Sequence, residues 1–427
     1  MLEGRVRAVI GSSGSIQNQN SFLRRRILYA SGPGDIVAHT RDSLSGKPPT
    51  YQTIIPFTDQ FLAWTHGTGA ETFFVTSCAR RDKLTAGGDR YENRPKPSIS
   101  SKSGLSYHIG AVLYGLGLVS TAIRSRADVA IFDSGSTHWI VLSLLALFRI
   151  PVIAVLHNSL WPKGYPPQGR AQRLLSRLDG LFFRRFAAAT ICVSPECERQ
   201  VRAAAEKPRG PIYQCRAQYR EGFLSRVEPA GAPPFERFHV LYLGRIEKQK
   251  GVFFILDLAE HLERELPGRF AWRFAGAGSA AESLRQEITA RNLGSIVGFP
   301  GHLQSEQGAL DTFSWAQALI VPTTSQFVEG LAMTAVEGIL TGRPVVLSSV
   351  VPAAEVLGNA TIVADTEDVE SFARAFRGLL LNPGEYQAHQ QATRAVQAQF
   401  YDQSVGLGNI LGRAIEELGI PGEKVTA

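Results

Sequence analysis

The stretch Ser325-Gln-Phe-Val-Glu-Gly-Leu-Ala-Met-Thr-Ala-Val-Glu337 decides the fold class of this chain. The apolar run Ala318–Val321 precedes it, and the apolar run Val345–Leu347 follows it. This order predicts a strand, a loop, a helix and a second strand, which is the repeating unit of a parallel sheet. The prediction places Glu329 in the loop and Glu337 about two turns into the helix.

The two glutamates suit a particular kind of ligand. The N-terminus of such a helix presents free backbone N–H groups and a positive dipole end, which favour a phosphate. The carboxylate of Glu337 can accept hydrogen bonds from both hydroxyls of a ribose, and Glu329 can hold the group beyond the phosphates. The layout therefore predicts a site for a nucleotide sugar.

Length and composition indicate a globular protein of two α/β domains. The chain has 427 residues, of which 44% are apolar and 19% charged. The most apolar run, Ile140–Phe148, is too short to span a bilayer, and the N-terminus lacks the apolar core of a signal peptide. Four cysteines without CxxC spacing are typical of reduced thiols. We expect a cytoplasmic protein without a transmembrane helix.

The charge is unevenly distributed along the chain. Residues 1–240 carry 31 Lys and Arg against 17 Asp and Glu, whereas residues 241–427 carry 14 against 21. The basic half includes the clusters Arg24–Arg26 and Arg184–Arg185. These clusters are consistent with peripheral contact with the inner face of a membrane, with a phosphate-bearing acceptor, or with a solvated basic face. No basic run is interleaved with aromatic residues, so nucleic-acid binding is not expected.

Apolar β-branched runs alternate with helical patterns in both halves, which predicts two Rossmann-like, doubly wound parallel sheets facing a cleft. The stretch Arg80–Lys102 is predicted to be a long loop, and the run 53–57 a strand. The predicted organisation is a flexible segment 1–22, an N-terminal acceptor domain 23–215, a linker 216–238, a C-terminal nucleotide-sugar domain 239–400, and a last helix in 401–427 that crosses back to the first domain.

A cation cluster follows the first predicted strand of the second domain. Gly244 and Arg245 end that strand, and Lys250 comes shortly before the next helix. Arginine offers a fork of donors and lysine a point charge, so together they can hold a diphosphate. A solvated turn would show the same residues, but the glutamates at the same sheet edge favour the binding site.

Two further groups lie at predicted strand ends in the N-terminal domain. Gly32 and Gly34 would let the backbone approach a ligand closely, although an ordinary strand-to-helix turn has the same pattern. His157 can bind a sugar hydroxyl or relay a proton, or it can be structural. Asp133 and His138, at the end of the preceding strand, are weaker candidates.

Several other functions find little support in the sequence. Gly276-x-Gly278-x-x-Ala281 fits a dinucleotide fingerprint, but Ile296 stands where the ribose-binding acid is expected. No Asp-x-Asp, no histidine pair at helical spacing, no P-loop and no nucleophile elbow occur, so no metal site is expected.

Taken together, these residues resemble the retaining GT-B glycosyltransferases, family 4 (group 1) in particular. The matching elements are specific in their order and spacing: Gly244-Arg245 with Lys250-Gly251, Phe274-Ala-Gly276, Phe299-Pro-Gly301, Ser325 to Glu337, Gly342-Arg-Pro-Val345, and Glu355-Val356. The resemblance covers the C-terminal domain from about Val240 to Pro383, and the N-terminal domain only loosely.

The resemblance implies a metal-independent transfer, with retention, from a UDP-, GDP- or other nucleoside-diphosphate sugar to a sugar or lipid-linked acceptor, with no cofactor. Arg245 and Lys250 would bind the diphosphate and assist its departure, Glu329 would hold the donor sugar, and Glu337 the ribose. Phe299 to Gly301 would frame the base. The implied catalytic residues are Arg245, Lys250, Glu329 and His157. The implied donor site comprises Gly32, Gly34, Gly244, Arg245, Lys250, Phe299, Gly301, Glu329, Gly330, Leu331, Ala332, Met333 and Glu337.

In this family a second glycine usually stands three residues after the first glutamate, and this chain has Ala332 there. The resemblance leaves alternatives open: a nucleotide-sugar epimerase of the same fold, a phosphorylase, a non-catalytic nucleotide-sugar sensor, or an NAD-dependent Rossmann enzyme. The sequence shows no motif for the pyridoxal-binding lysine that a phosphorylase would need. The absence of the ribose-binding acidic residue after Gly278 argues against an NAD-dependent enzyme.

Overall fold

The computed structural model describes residues 23–46, 53–97, 104–421 and 423–424. The predicted flexible segment 1–22 lies outside the described residues. Among the described residues the strands are β1 (Leu23–Arg24), β2 (Arg26–Pro33), β3 (Ile54–Ile55), β4 (Glu71–Ser77), β5 (Asp82–Ala86), β6 (Asp89–Asn93), β7 (Val129–Asp133), β8 (Val152–Leu156), β9 (Ala187–Cys192), β10 (Ile212–Gln214), β11 (Gln218–Tyr219), β12 (Phe238–Leu243), β13 (Phe270–Ala275), β14 (Val297–Gly301), β15 (Ala318–Val321), β16 (Val345–Ser348), β17 (Thr361–Ala364) and β18 (Glu423–Lys424).

Helices connect most of these strands. The α-helices of the described residues span Ile36–Leu44, Phe57–Thr68, Leu105–Arg124, Arg170–Arg185, Pro195–Ala205, Val252–Glu265, Ala281–Ala290, Glu306–Trp315, Met333–Leu340, Ala353–Leu357, Val369–Leu381, Pro383–Val396 and Leu407–Glu417. Segments of 3₁₀ helix span Trp139–Phe148, Leu224–Arg226, Lys248–Lys250, Gly358–Ala360, Ala398–Phe400 and Gln403–Val405.

The two large sheets have the strand orders of doubly wound α/β domains. The first sheet runs β10-β9-β8-β7-β2-β4-β6-β5, and only its last pair, β6 with β5, is antiparallel. The second runs β14-β13-β12-β15-β16-β17 and is parallel throughout. Strands β7, β8, β15 and β16 are buried along their whole length, as expected for strands covered on both faces. The predicted fold class is confirmed.

The chain crosses between the sheets in residues 215–237 and returns at its end. Strand β11 pairs with β3 of the first domain, and the buried Arg343 of the second domain donates to the carbonyl oxygen of Glu228. The last helix packs on helix Phe57–Thr68, where the Leu407 N–H donates to the Gln60 side chain at 2.8 Å. The connecting and terminal segments therefore tie the two domains together.

A bidentate ion pair also joins the domains. Both terminal nitrogens of Arg199, in helix Pro195–Ala205, lie 2.6 Å from the oxygens of Glu355, in helix Ala353–Leu357. The Arg199 hydrogen bonds hold the pKa of the Glu355 carboxyl below its usual value. Lys163 approaches the same carboxylate at 3.1 Å. Glu355, which belongs to the sequence pattern, therefore serves the domain interface.

Two local predictions are wrong. Residues 82–93, predicted to lie in a long loop, form the β5–β6 hairpin, because Gly87 and Gly88 supply the two positive φ angles, 60° and 94°, of a tight turn. The predicted strand 53–57 is reduced to β3, because Pro56 precedes the first turn of helix Phe57–Thr68.

Helix Leu105–Arg124 was overlooked in the sequence. Among the described residues it is the one helix long and apolar enough to cross a membrane by length and composition. In the fold, however, its buried residues, which include Tyr114 and Leu118, pack against the first sheet. Its mixture of Gly, Ser and Tyr with aliphatic residues made it less conspicuous than the run 140–148.

Candidate active site

A cavity of about 360 Å³ lies between the two domains, at the carboxyl ends of both sheets. That volume lies within the range of small-molecule sites. In the C-terminal domain the cavity lies at the boundary between β12 and β15. The chain continues from β12 toward β13 on one side and from β15 toward β16 on the other, so the loops after these two strands leave the sheet in opposite directions. Most of the predicted site residues line it: His157, Gly244, Arg245, Lys250, Glu329, Gly330, Leu331, Ala332 and Met333.

The Lys250 ammonium and the Glu329 carboxylate form an ion pair in the cavity wall. Both side chains are largely buried, with 18% and 7% of their surface exposed. The Thr323 hydroxyl donates to the same Glu329 oxygen at 3.0 Å, and the Lys250 ammonium lies 4.0 Å from the centre of the Phe327 ring. Because a buried charge requires a partner, each of these two residues fixes the other in place.

Arg245 is held less tightly than Lys250. Its side chain is 61% exposed, pairs with Glu247 at 3.0 Å, and lies 5.5 Å from the centre of the Phe327 ring. An exposed ion pair of this kind contributes little free energy, so the guanidinium can exchange Glu247 for a phosphate at little cost. The cavity thus has one fixed cation and one adjustable cation.

The strand-to-helix turn at Gly276 and Gly278 supports the Arg245 loop from behind. A β-carbon on Gly276 would lie 1.8 Å from the Gly244 carbonyl oxygen, and one on Gly278 would lie 2.3 Å from that of Ile246. The glycine pattern that fits a dinucleotide fingerprint therefore serves close packing of two backbone segments.

The loop that carries Glu329 touches the N-terminal domain through its backbone. The Ser159 N–H and hydroxyl both donate to the Glu329 carbonyl oxygen, at 3.2 Å and 2.8 Å. A β-carbon on Gly330 would stand 1.7 Å from the His157 carbonyl oxygen. Position 330 therefore admits only glycine while the domains are in contact.

Ala332 has an unusual backbone conformation for its residue type. It precedes helix Met333–Leu340 with φ 67° and ψ 85°, a left-handed conformation that costs a residue with a β-carbon about 1–2 kcal/mol. The glycine that usually stands at this position in the family that the chain resembles would avoid this strain. Met333 and Thr334, in the first turn of the helix, still line the cavity, and the N–H groups of a first helical turn have no partner within the helix.

His157 is oriented by a buried carboxylate that the sequence ranked as a weaker candidate. Its Nε2 lies 2.9 Å from Asp133, and its ring packs against Phe57 at a tilt of 33°, with 4.6 Å between centroids. The Tyr29 hydroxyl also donates to Asp133, at 2.9 Å, and burial and the Asp133 charge raise the Tyr29 pKa, so the phenol stays protonated. Among the described residues, the buried Nδ1 of His157 has no hydrogen-bond partner.

His157 lines the cavity, but its unpartnered Nδ1 has almost no accessible surface in this arrangement, so a ligand hydroxyl would reach it only after the neighbouring groups move apart. With Nε2 donating to Asp133, Nδ1 of His157 carries a lone pair that can accept a hydrogen bond from that hydroxyl. The sequence offered one signal for this pair. Asp133 ends β7 and His157 follows β8, and adjacent parallel strands bring their carboxyl ends together.

Glu337 does not line the cavity. Its carboxylate accepts a hydrogen bond from the Thr53 hydroxyl of the N-terminal domain, and burial raises its pKa to about 7. Nearby, the Tyr219 hydroxyl donates to the Met333 carbonyl oxygen at 3.2 Å. The structure therefore places the second glutamate against the opposite domain and outside the main cavity. Glu337 lies about one turn into helix Met333–Leu340, not the predicted two turns, because the helix begins only at Met333.

The remaining predicted donor residues also lie outside the cavity lining. The Arg285 guanidinium covers the Phe299 ring at 4.6 Å, and the Gly301 carbonyl oxygen accepts the Gly276 N–H at 2.8 Å. Gly32 and Gly34 end β2 and start the next turn, and a β-carbon on either would meet open space.

Two family models match the chain, one in each domain. The model described as glycosyl transferases group 1 matches residues 229–396. The model described as a glycosyl transferase 4-like domain matches residues 54–212. The first therefore covers the Arg245, Lys250 and Glu329 side of the cavity, and the second covers the His157 side.

Curated and solved proteins show the same likeness. The chain is 27% identical over 157 residues to a glycogen synthase of Mycobacterium tuberculosis, a match that covers 36% of this chain and 37% of the relative. The solved sucrose-phosphate synthase of Thermosynechococcus elongatus superimposes with a TM-score of 0.67 at 17% identity, over 93% of this chain and 99% of that one. The trehalose 6-phosphate synthase of Burkholderia multivorans gives 0.71 at 13% identity, over 93% and 97%.

A third solved protein, HepE of Anabaena in complex with UDP, gives a TM-score of 0.62 at 14% identity, over 92% of this chain and all of that one. At these identities the superpositions show a shared GT-B fold. Family models of glycosyl transferases match both domains of this chain, the group 1 model in the C-terminal domain and the 4-like model in the N-terminal domain.

Proposed function

We propose that this protein transfers a sugar from a nucleoside-diphosphate sugar to a glycan, lipid-linked or small-molecule acceptor. The observation that carries the proposal is the convergence of Arg245, the Lys250–Glu329 pair and the N-terminus of helix Met333–Leu340 on one interdomain cavity. Two cations and a helix N-terminus favour a diphosphate.

The cations would act mainly on the leaving group. As the bond between the sugar and the diphosphate breaks, negative charge develops on the departing oxygen, and fixed cations stabilise that charge. Lys250 is held in place by Glu329, so it needs little reorganisation when the charge develops. Arg245 supplies a second, adjustable fork of donors. These two side chains support a reaction that depends on no metal and no dissociable cofactor.

Glu329 and His157 would border the sugar from the two domains. Glu329 belongs to the donor side, and the unpartnered Nδ1 of His157 belongs to the acceptor side. A donor sugar between them would replace part of the direct contact between the Gly330 backbone and the His157 carbonyl oxygen. Retention of the anomeric configuration is our expectation from the resemblance, as is a role in making a polysaccharide or related glycan.

Glu337 is proposed to bind the ribose, which requires an exchange of partners. The Thr53 hydroxyl that donates to Glu337 would be replaced by a ribose hydroxyl, so the number of hydrogen bonds to the carboxylate would be kept. Thr53 belongs to the N-terminal domain, so this exchange would accompany a small relative movement of the domains.

Only the similar solved structures bear on which base the donor nucleotide carries. HepE binds UDP, which supports a uridine nucleotide, although GDP and other bases are equally compatible with the cation pair. We propose a cytoplasmic protein with a peripheral contact at the inner face of the membrane, through its basic N-terminal domain.

Calorimetric titration with UDP, GDP, ADP and NAD tests the proposal. We expect one nucleoside diphosphate to bind and NAD to fail, and we expect Arg245→Ala to weaken the binding. The matched control is Arg374→Ala, which removes an exposed arginine from helix Val369–Leu381 of the same domain, outside the cavity lining. Binding of NAD alone, or of none of the four, would reject the donor site.

A further inference from the structure

Helix Leu105–Arg124 presents an apolar face to solvent. Leu105, Ile109, Leu113 and Leu116 lie on one side of the helix and are 77%, 50%, 54% and 41% exposed. The opposite side packs on the first sheet. From residue 105 to 123 the helix contains no Asp, Glu, Lys or Arg.

The helix packs against a neighbouring segment that also carries exposed apolar side chains, and that segment packs against a third such element. The Thr137 hydroxyl, just before the segment Trp139–Phe148, donates to the Ala111 carbonyl oxygen of the helix at 2.7 Å. Trp139 in turn stacks on Phe182 of helix Arg170–Arg185, with 5.7 Å between centroids. We call the exposed side chains of these three elements the apolar face; its members are Leu105, Tyr107, Ile109, Val112, Leu113, Leu116, Leu144, Leu147, Phe148, Leu174 and Leu181.

The clustering distinguishes this face from other exposed apolar residues. Leu147 and Leu105 are 78% and 77% exposed, the highest values among the exposed large apolar side chains of the described residues. In contrast, Leu44, Val363 and Leu381 are exposed in separate elements of the fold. Single exposed apolar residues are common, whereas a contiguous cluster marks an interaction surface.

The segment of chain that carries the apolar face is rich in positive charge. The fully described segment 104–186 carries nine Lys and Arg residues against three Asp. The three carboxylates are engaged elsewhere: Asp128 pairs with Arg26, and Asp133 is buried against His157. Asp179 accepts backbone N–H bonds from Trp139 and Ile140, and burial raises its pKa to about 6.

Exposed arginines lie on these same elements or directly next to them, namely Arg124, Arg149, Arg170, Arg173, Arg177, Arg184 and Arg185. Of these, Arg184 also pairs with Glu206 at 3.3 Å. Apolar side chains bordered by arginines complement a surface that offers hydrocarbon beneath anionic groups.

We propose that the apolar face docks the N-terminal domain onto an anionic lipid bilayer, with its leucines and Phe148 in the acyl boundary and the surrounding arginines at the headgroups. The helix lies on the bilayer and does not span it, because its other side is part of the domain core. Of the two basic clusters that the sequence indicated, this surface includes Arg184–Arg185 and does not include Arg24–Arg26.

The docking surface adjoins the acceptor side of the cleft. The first turns of helix Leu105–Arg124 lie beside the loop after β7, since the His108 and His138 rings are 5.1 Å apart. That loop follows Asp133, which orients His157 in the cavity. An acceptor carried by the bilayer would therefore approach the cavity from this side; this last step rests on the proposed function, whereas the docking surface does not.

Flotation of the full chain with vesicles tests the surface. We expect wild type to float with vesicles containing about 30% phosphatidylglycerol in phosphatidylcholine, and to float much less with phosphatidylcholine alone or at high salt. The double variant Leu113→Glu/Leu147→Glu should lower the bound fraction about tenfold or more. Arg173→Glu/Arg177→Glu should lower it on the anionic vesicles.

The matched control is Val363→Glu/Leu381→Glu, which adds the same charges at exposed apolar positions of the other domain. This control should float like wild type. Titration of every variant with the nucleoside diphosphate that binds wild type reports whether the nucleotide site is intact, so loss of docking and loss of the donor site are read separately.

Three results would overturn the docking proposal. The first is that wild type binds neither type of vesicle. The second is that the control Val363→Glu/Leu381→Glu loses as much vesicle binding as Leu113→Glu/Leu147→Glu. The third is that wild type forms a dimer in solution that Leu113→Glu/Leu147→Glu dissociates, while vesicles have no effect.

Discussion

The carbonyl oxygen of His157 occupies the space that a β-carbon on Gly330 would need, with only 1.7 Å between the two positions. The backbones of the two domains therefore meet at the centre of the cavity, between the residue assigned to the acceptor side and the loop assigned to the donor. This contact makes the spacing of the domains sensitive to a single methyl group.

Gly330→Ala should lower turnover roughly a hundredfold, because the added β-carbon pushes the Glu329 loop and His157 apart and reacting groups lose their alignment. Steady-state kinetics, with sugar donors that carry the nucleotide identified by calorimetry, measure the effect. Gly294→Ala, where a β-carbon meets open space, should behave like wild type. Full activity of Gly330→Ala would show that the two loops do not meet in the active state.

Arg245→Ala should reduce turnover on the order of a hundredfold, since one group that stabilises the departing diphosphate is lost. The side chain is largely exposed, so the melting temperature should stay near that of wild type. Turnover close to wild type would remove the role assigned to Arg245.

Asp133→Asn should lower turnover roughly ten- to hundredfold while leaving the affinity for the nucleoside diphosphate unchanged, because Asp133 acts through the orientation of His157. It should also change the pH profile of turnover, which a purely structural role would not do. A double-mutant cycle provides the control: Asp133→Asn/His157→Asn should lose no more activity than His157→Asn alone. Additive losses of activity would show that Asp133 and His157 act independently.

Glu337→Gln should gain stability relative to wild type as the pH rises. Burial raises the folded-state pKa of Glu337 from the ordinary value near 4.5 to about 7, so the folded protein binds the proton more tightly than the unfolded chain. Stability from this group is complete below the unfolded pKa and is lost as the pH rises through the folded pKa. Melting temperatures of both proteins at pH 5, 6, 7 and 8 measure the difference, which should widen between about pH 5 and 8. A constant difference would contradict the burial of the carboxyl group.

EDTA should leave the transfer reaction intact, because Arg245 and Lys250 are proposed to supply the positive charge that stabilises the leaving group. The measurement is turnover before and after chelation, with added Mn²⁺ as the control. Activity that collapses in EDTA and returns with Mn²⁺ would overturn the metal-independent mechanism.

The sequence predicted well those features that depend on local pattern. The apolar runs at 318–321 and 345–347 became the buried strands β15 and β16, because only strands covered on both faces need such continuous apolar character. The pairing of Gly244-Arg245 with the Glu329 loop was also accessible, since both follow parallel strands and so share a sheet edge.

Other features required contacts between distant parts of the chain. The turn at Gly87 and Gly88 has a local signature that was missed, but the partnership of β6 with β4 depends on the sheet. Likewise Glu337 meets Thr53 across 284 positions, and no local pattern in the sequence indicates that hydrogen bond. The exposure of one side of helix Leu105–Arg124 depends on what covers the sheet around it.

By itself, therefore, the sequence determined the two α/β domains and the chemistry at the strand ends, because hydrophobic periodicity and residue type are local properties. Only the tertiary structure decided which of those chemical groups share one cavity, which carboxylate orients His157, and which apolar side chains remain at the surface. Those outcomes depend on the relative placement of elements far apart in the chain, which is set by packing over the whole fold.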